Sequence, residues 1–297
     1  MGWLDSFHGY LQQSTRFWVE DEAGRYAYLT DKERQALKRK QQQLKDRGAK
    51  IVKTMVDGRI LRQHRFESER TADYKFYLKH LIKQKTDFYV EEAIESRRSR
   101  FQDDKLISDE PLILEGSDDF MPDLEREPLR SGRRGFQYRR LEAVRYADRW
   151  WNGYNPQYQS FDVDCTNYIS QCLRAGGGPM VGHPNRARGW WYSGKSWSYS
   201  WSVAHALRWY LSGATSGLRA KEVDTADQLI PGDVISYDFE GDGHWDHSTI
   251  VTAKDLKGMP LVNAHTANCR KVYWDYEHSV AWTPKIKYKF FRIVDDE

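Results

Sequence analysis

Cys165 sits in the stretch FDVDCTNYISQCLRAGGG, residues 161–178, and its neighbours give the thiol a reason to react. The pattern predicts a helix that starts at the cysteine and stops at the glycine run. Asp162 or Asp164 can accept the N–H groups that a first helical turn leaves unsatisfied, and Gly176–Gly178 can take up left-handed C-terminal geometry. Ile169 and Cys172 follow Cys165 at i+4 and i+7, so the three share one helical face. The positive end of the helix dipole is expected to lower the Cys165 pKa and favour the nucleophilic thiolate. A free cysteine is more commonly a small buried hydrophobe, and Cys172, in mid-helix on the apolar face, reads that way.

Other reactive side chains read as structural. Asp242, His244 and Asp246 in DGHWDH resemble metal ligands, but His- and Asp-bearing loops are common and the cysteines lack ligand spacing. No metal and no cofactor are expected. His205 reads as packed on an aromatic helix face, and Cys269 as an inert thiol. Three cysteines, two of them two turns apart on one helix, make no disulfide framework and point to a reducing compartment.

The helix must be held by the elements around it. Gln137–Trp151 has helical spacing and leads into a turn-rich loop with Tyr154 and Tyr158. A Ser- and Trp-rich stretch follows the cysteine helix, with a further helix over Ser202–Leu211 ended at Gly213. Leu229–Tyr237 is a Pro-Gly-Asp turn feeding a buried strand, EGDGHWD is a hairpin loop, and His247–Ala253, Leu261–Thr266 and residues 286–294 read as strands.

DCTNYISQCLRAGG, the Ser-Trp stretch, PGDVI and DHSTIV, in this order, resemble the bacterial putative amidase domain, which is similar to NlpC-type, papain-like cysteine hydrolases. The resemblance covers residues 137–294, about half the chain. It implies a cysteine helix packed on an antiparallel sheet and an amide-bond hydrolase working through a thioacyl intermediate. Cys165 would be the nucleophile and His247 the general base. His265, or alternatively Asn263, would orient the imidazole. Residues two apart on a strand face the same side, so the pattern does not separate those two. The Cys165 N–H would meet the oxyanion, with Tyr158 as a side-chain donor, and Asp164, Asn263 and Trp197 complete the expected substrate and oxyanion set. The same fold could serve as an inactive carbohydrate- or peptide-binding module, or transfer the acyl group to an amine.

The N-terminal half carries no catalytic set. Trp3, Leu4, Phe7, Tyr10, Leu11, Phe17 and Trp18 predict an amphipathic helix with a break near Ser14, and a Thr30-x-x-Glu33 capping box opens a polar helix over 30–47. Lys50–Val56 and Arg59–Phe66 read as a hairpin turned at Asp57-Gly58, and residues 73–84 and 86–101 as long antiparallel strands. Glu91, Glu92 and Glu95 are expected to face outward. Residues 102–135 read as a linker. The expected fold class is α+β: an N-terminal helix-plus-meander domain of cystatin-like or NTF2-like kind over 1–128, and the papain-like/NlpC-like domain over 129–297.

Composition narrows the partners. A net charge of +3 with both signs mixed argues against a nucleic-acid binder, and no apolar run is long enough to span a membrane. Twelve Trp and eighteen Tyr, dense after Tyr146, suit a groove for a sugar or an extended peptide. A peptide or muropeptide substrate is expected, with the N-terminal domain dimerising or docking a protein. The first twenty residues lack the features of a secretory leader. A cytoplasmic location follows as the expectation, with leaderless export or lysis as routes to a cell wall.

Overall fold

The computed structural model describes residues 2–19, 28–112 and 136–295. The fold is mixed α/β with antiparallel sheet, and it divides into two compact units, Met1–Ile113 with Tyr276–Trp282, and Leu114–Asp275 with Thr283–Glu297. The boundary expected at 128–135 lies outside the described residues. No described helix is long and apolar enough to cross a membrane.

In the first unit, helices α1 (Trp3–Val19) and α2 (Asp31–Arg47) accompany a meander of β1 (Ala49–Phe66), β2 (Glu69–Gln84), β3 (Asp87–Gln102) and β4 (Lys105–Pro111), paired in that order. Helix α1 is continuous through Ser14, and buries Phe7, Tyr10 and Leu11 against Ala72, Tyr74, Phe76 and Phe101. The capping box on α2 forms as expected: Glu33 N–H donates to Thr30 Oγ1 at 3.3 Å and Thr30 N–H to Glu33 Oε2 at 2.8 Å.

Beyond the helix break expected near Ser14, three expectations fail here, each for a physical reason. Asp57-Gly58 does not turn; it runs through the middle of β1, opposite Tyr77 and Phe76. A Cβ on Gly58 would lie 2.6 Å from Leu11 Cδ1, so the glycine marks the close approach of α1. Within the stretch expected as linker, residues 105–111 form β4. The one buried residue of that strand is Asp109, which hydrophobic alternation cannot reveal. Its carboxylate accepts Tyr10 Oη (2.8 Å), Tyr74 Oη (2.7 Å), Ser99 Oγ (2.6 Å) and Arg97 Nε (2.5 Å). Glu91 and Glu92 are buried rather than outward-facing, because partners cover them: Lys40 of α2 donates to Glu91, and Tyr77 to Glu92.

The second unit holds α3 (Arg140–Trp150), α4 (Cys165–Ala175), the two-residue strands β5 (Tyr192–Ser193) and β6 (Ser196–Trp197), α5 (Tyr199–Ser202), α6 (Ala204–Gly213), β7 (Arg219–Val223), β8 (Val234–Asp238), β9 (His247–Lys254), β10 (Pro260–Ala264), β11 (Cys269–Tyr273) and β12 (Lys287–Val294). Its strands run in the order β11-β10-β9-β8-β12-β7. Ile169, Cys172 and Leu173 of α4 and Leu207 and Leu211 of α6 pack with Val234, Ile250, Phe291 and Ile293 of the sheet. The Pro-Gly-Asp turn serves this packing. Gly232 has φ +95°, and Asp233 accepts Ile230 N–H (2.8 Å), Ile293 N–H (3.0 Å) and Arg140 Nη1 (2.5 Å), joining turn, β12 and α3.

Asp109→Ala would leave the Arg97 guanidinium buried beside an empty socket. A loss of about 3–5 kcal/mol is expected in urea denaturation of the whole chain, as for other broken buried pairs.

Candidate active site

Helix α4 begins at Cys165, which is 2 % exposed, and its start is anchored from outside the helix. Asp164 precedes it at φ −113°, ψ 2°, and its side chain accepts no backbone N–H of the first turn, unlike the cap expected of it. Its carboxylate is engaged elsewhere. Oδ1 accepts Phe161 N–H (3.0 Å) and Asn167 Nδ2 (2.8 Å), and Oδ2 lies 2.8 Å from His265 Nδ1. At the far end of α4 the glycine run does stop the helix: Gly178 N–H reaches Leu173 O at 3.0 Å and Gly177 has φ +95°.

His265 follows the last residue of β10, and its ring stacks on Tyr168 with centroids 3.9 Å apart at 10°. Its Nε2 lies 2.7 Å from the Trp150 carbonyl oxygen. Both ring nitrogens therefore face oxygen atoms, one on each side of the ring. Asn167 extends the network: Nδ2 also donates to Gln159 O (2.8 Å), and Oδ1 accepts Trp201 Nε1 (2.8 Å). One chain of hydrogen bonds thus runs from the end of α3 through His265, Asp164 and Asn167 to Trp201.

Electrostatics at the thiol run against the dipole expectation. Burial pushes the Cys165 pKa up, and hydrogen bonds from the Thr166 hydroxyl (3.6 Å) and the Ser248 backbone offset this only in part. Desolvating a thiolate costs more here than these hydrogen bonds return. Burial also pushes His247 down to about 4, so its imidazole is neutral at ordinary pH. The His247 ring packs 5.7 Å from Tyr237 and 6.1 Å from Phe239, between centroids.

The expected site residues fall into separate groups. Asp164 and His265 pair at the head of α4, next in sequence to Cys165, and β9 reaches the thiol through the backbone of Ser248, while the His247 ring lies with Tyr237 and Phe239 on the other face of that strand. Asn263 shares the His265 side of β10 but ties the scaffold together: Oδ1 accepts Thr252 Oγ1 (2.8 Å) and Lys271 N–H (2.9 Å), and Nδ2 donates to Asp148 (3.2 Å). Tyr158 and Trp197 belong to an aromatic wall. Tyr158 stacks on Trp201 at 5.7 Å, and Trp197 packs on Phe161 at 5.0 Å and Tyr192 at 6.0 Å. In the DGHWDH loop, Asp242 accepts His244 N–H (2.7 Å) and Asp246 accepts Phe239 N–H (2.9 Å). Asp238, Glu240 and Asp246 can bring carboxylate oxygens within 4.8 Å of one another, but both Asp238 oxygens already accept loop amides from Gly241, Asp242 and Gly243.

Sequence reasoning passed over Asn167, Trp201 and the Trp150 carbonyl. Asn167 was within reach, as an amide three residues after Asp164 in the DCTN motif. A backbone carbonyl leaves no signal in a sequence.

Residues 137–291 match the sequence family described as the putative amidase domain. The chain is 46% identical over 269 residues to the uncharacterized protein YhbB of Bacillus subtilis (strain 168), covering 88% of this chain and 86% of that protein. It is 34% identical over 149 residues to the uncharacterized protein YjcM of the same strain, covering 47% and 33%. No solved structure matches. The class these matches define is that of hydrolases of amide bonds. The chain belongs to the putative amidase domain family.

Asp164→Ala would remove the carboxylate on which His265, Asn167 and Phe161 converge. The expected cost is about 3–5 kcal/mol of stability in chemical denaturation, with His265→Gln costing less because the glutamine amide can still donate to the carboxylate.

Proposed function

We propose that the protein is a cysteine-dependent amidase that cleaves peptide amide bonds, with cell-wall peptides or muropeptides as its substrate class. The observation that carries this is the position of Cys165 at the head of a buried helix, its thiol in hydrogen-bond contact with the backbone residue next to His247. Helices packed on an antiparallel sheet, with the cysteine at a helix start and His247 at a strand start, support an NlpC-type, papain-like relationship. The aromatic wall of Tyr158, Tyr192, Trp197 and Trp201 supports a substrate with sugar or extended peptide character.

In this reading the His247 ring turns from Tyr237 and Phe239 toward the sulfur and accepts the Cys165 proton as sulfur attacks the carbonyl carbon. The C–N bond then breaks, the imidazolium protonates the departing amine, and a thioester remains on Cys165. Water, deprotonated by His247, hydrolyses the thioester and restores the thiol. His265 acts as a positioning residue: held by Asp164 and the Trp150 carbonyl, it fixes where α4 starts and so where the sulfur lies. The first unit is proposed as a docking or dimerising module.

Two measurements test the reading. Cys165→Ala is expected to abolish release of amines from peptide amides and muropeptides while leaving the thermal midpoint nearly unchanged, and His247→Gln to lower kcat/KM by roughly 10²–10⁴. Undiminished hydrolysis by Cys165→Ala would sink the proposal. The pH profile of kcat/KM follows from the two shifts. Activity should be lost as pH falls through about 4, where His247 becomes protonated, and hold steady from there to the alkaline range in which the thiol ionises. A profile whose acid limb stands near 6.5 would instead show His247 solvated, or a different base at work.

A further inference from the structure

Ser236 and Ser248 are fully buried, and neither hydroxyl has a hydrogen-bond partner among the described residues. Two such groups cost stability, because each gave up water for nothing in return. They are not scattered. Ser236 of β8 stands directly opposite Ser248 of β9, as Val234 stands opposite Ile250. Val234 and Ile250 lie in the core with Cys172 and Leu173 of α4, and alternation puts the two serines on that same helix-facing side. Ser248 is also the residue whose backbone bonds the Cys165 thiol. The unsatisfied pair therefore borders the sulfur.

We propose that the Ser248 hydroxyl is a catalytic donor that hydrogen-bonds the Cys165 sulfur once it is ionised, with Ser236 as a positioning residue that donates in turn to Ser248. This rests on the reading of Cys165 as the nucleophile. Neither Oγ is in hydrogen-bond geometry with the neutral thiol or with the other hydroxyl, and a change of χ1 at each serine turns it toward the far stronger acceptor that a thiolate presents. Hydroxyls unsatisfied in the resting state and satisfied beside the anion stabilise only the charged form, the difference that accelerates a reaction. No covalent change is asked of the serines. The thiol proton leaves for the base, and both hydroxyls keep theirs.

The test is site-resolved alkylation of Cys165 by iodoacetamide against pH, read by peptide mass spectrometry in the full chain. It needs no substrate. Ser248→Ala is expected to move the profile to higher pH and to slow alkylation at neutral pH by roughly ten- to hundredfold, the range for a hydrogen bond to a charged group. Ser236→Ala should shift it less in the same direction, and Ser248→Thr, which keeps the hydroxyl, should restore it. The thermal midpoint of Ser248→Ala should be unchanged or raised, since an unsatisfied buried hydroxyl is removed. Superimposable profiles in wild type, Ser248→Ala and Ser236→Ala would overturn the proposal, as would a shift that Ser248→Thr fails to reverse. A serine-dependent profile in a protein that hydrolyses no amide would leave the serine–thiolate contact standing and remove the amidase reading instead.

Discussion

The second unit depends on one buried pair, the Asp164 carboxylate against the His265 ring. Both side chains are almost wholly excluded from water, at 1 % and 2 % exposure. A carboxylate so placed is tolerable only when its lone pairs are met, and here Phe161, Asn167 and His265 meet them. Asp164 directly precedes Cys165, so the need to satisfy this group sets where α4 begins. The carbonyl of Trp150 at the other end of the ring ties the same constraint to α3. The position of the sulfur follows from the solvation needs of its neighbour.

Burial also sets the chemistry. Exclusion of water outweighs the hydrogen bonds that Cys165 receives, and the same exclusion keeps His247 neutral. The resting site is an uncharged thiol and an uncharged imidazole. In the proposed mechanism charge separation is deferred to the encounter with substrate, with the Thr166 hydroxyl and the Ser248 backbone already beside the sulfur. An uncharged thiol is also less open to adventitious electrophiles and oxidants.

Much of this architecture is legible in the sequence. The long strands of the first unit, the cap at Thr30 and the helices around Cys165 follow from periodicity and terminal residues. What escapes is what polar burial organises. Asp109 makes a strand out of an apparent linker, Gly58 disguises a helix crossing as a turn, and β7 and β11 are short strands too polar to show a pattern. At the site, Cys165 is legible because helix-start residues and a thiol coincide, whereas the partnership of Asp164 with His265 spans 101 residues and appears only once the chain is folded. Hydrophobic patterns locate elements; hydrogen-bond satisfaction decides how their ends are joined.

The excursion of Tyr276–Trp282 has a consequence for how this architecture can be divided. Seven residues between β11 and β12 belong to the first unit, where Arg39 of α2 donates to the carbonyls of Glu277 (2.7 Å) and Ser279 (2.9 Å) and lies 4.6 Å above the Trp282 ring. The chain enters the second unit, leaves it and returns. Neither unit is thus a cassette that a single cut could free, and the stretch matched to the amidase family carries within it a loop whose packing partners lie outside that stretch. Gene fusion and truncation, the ordinary ways of moving a catalytic unit between proteins, would strand Arg39 or expose Trp282. Inheritance of the two units together is the arrangement this threading favours.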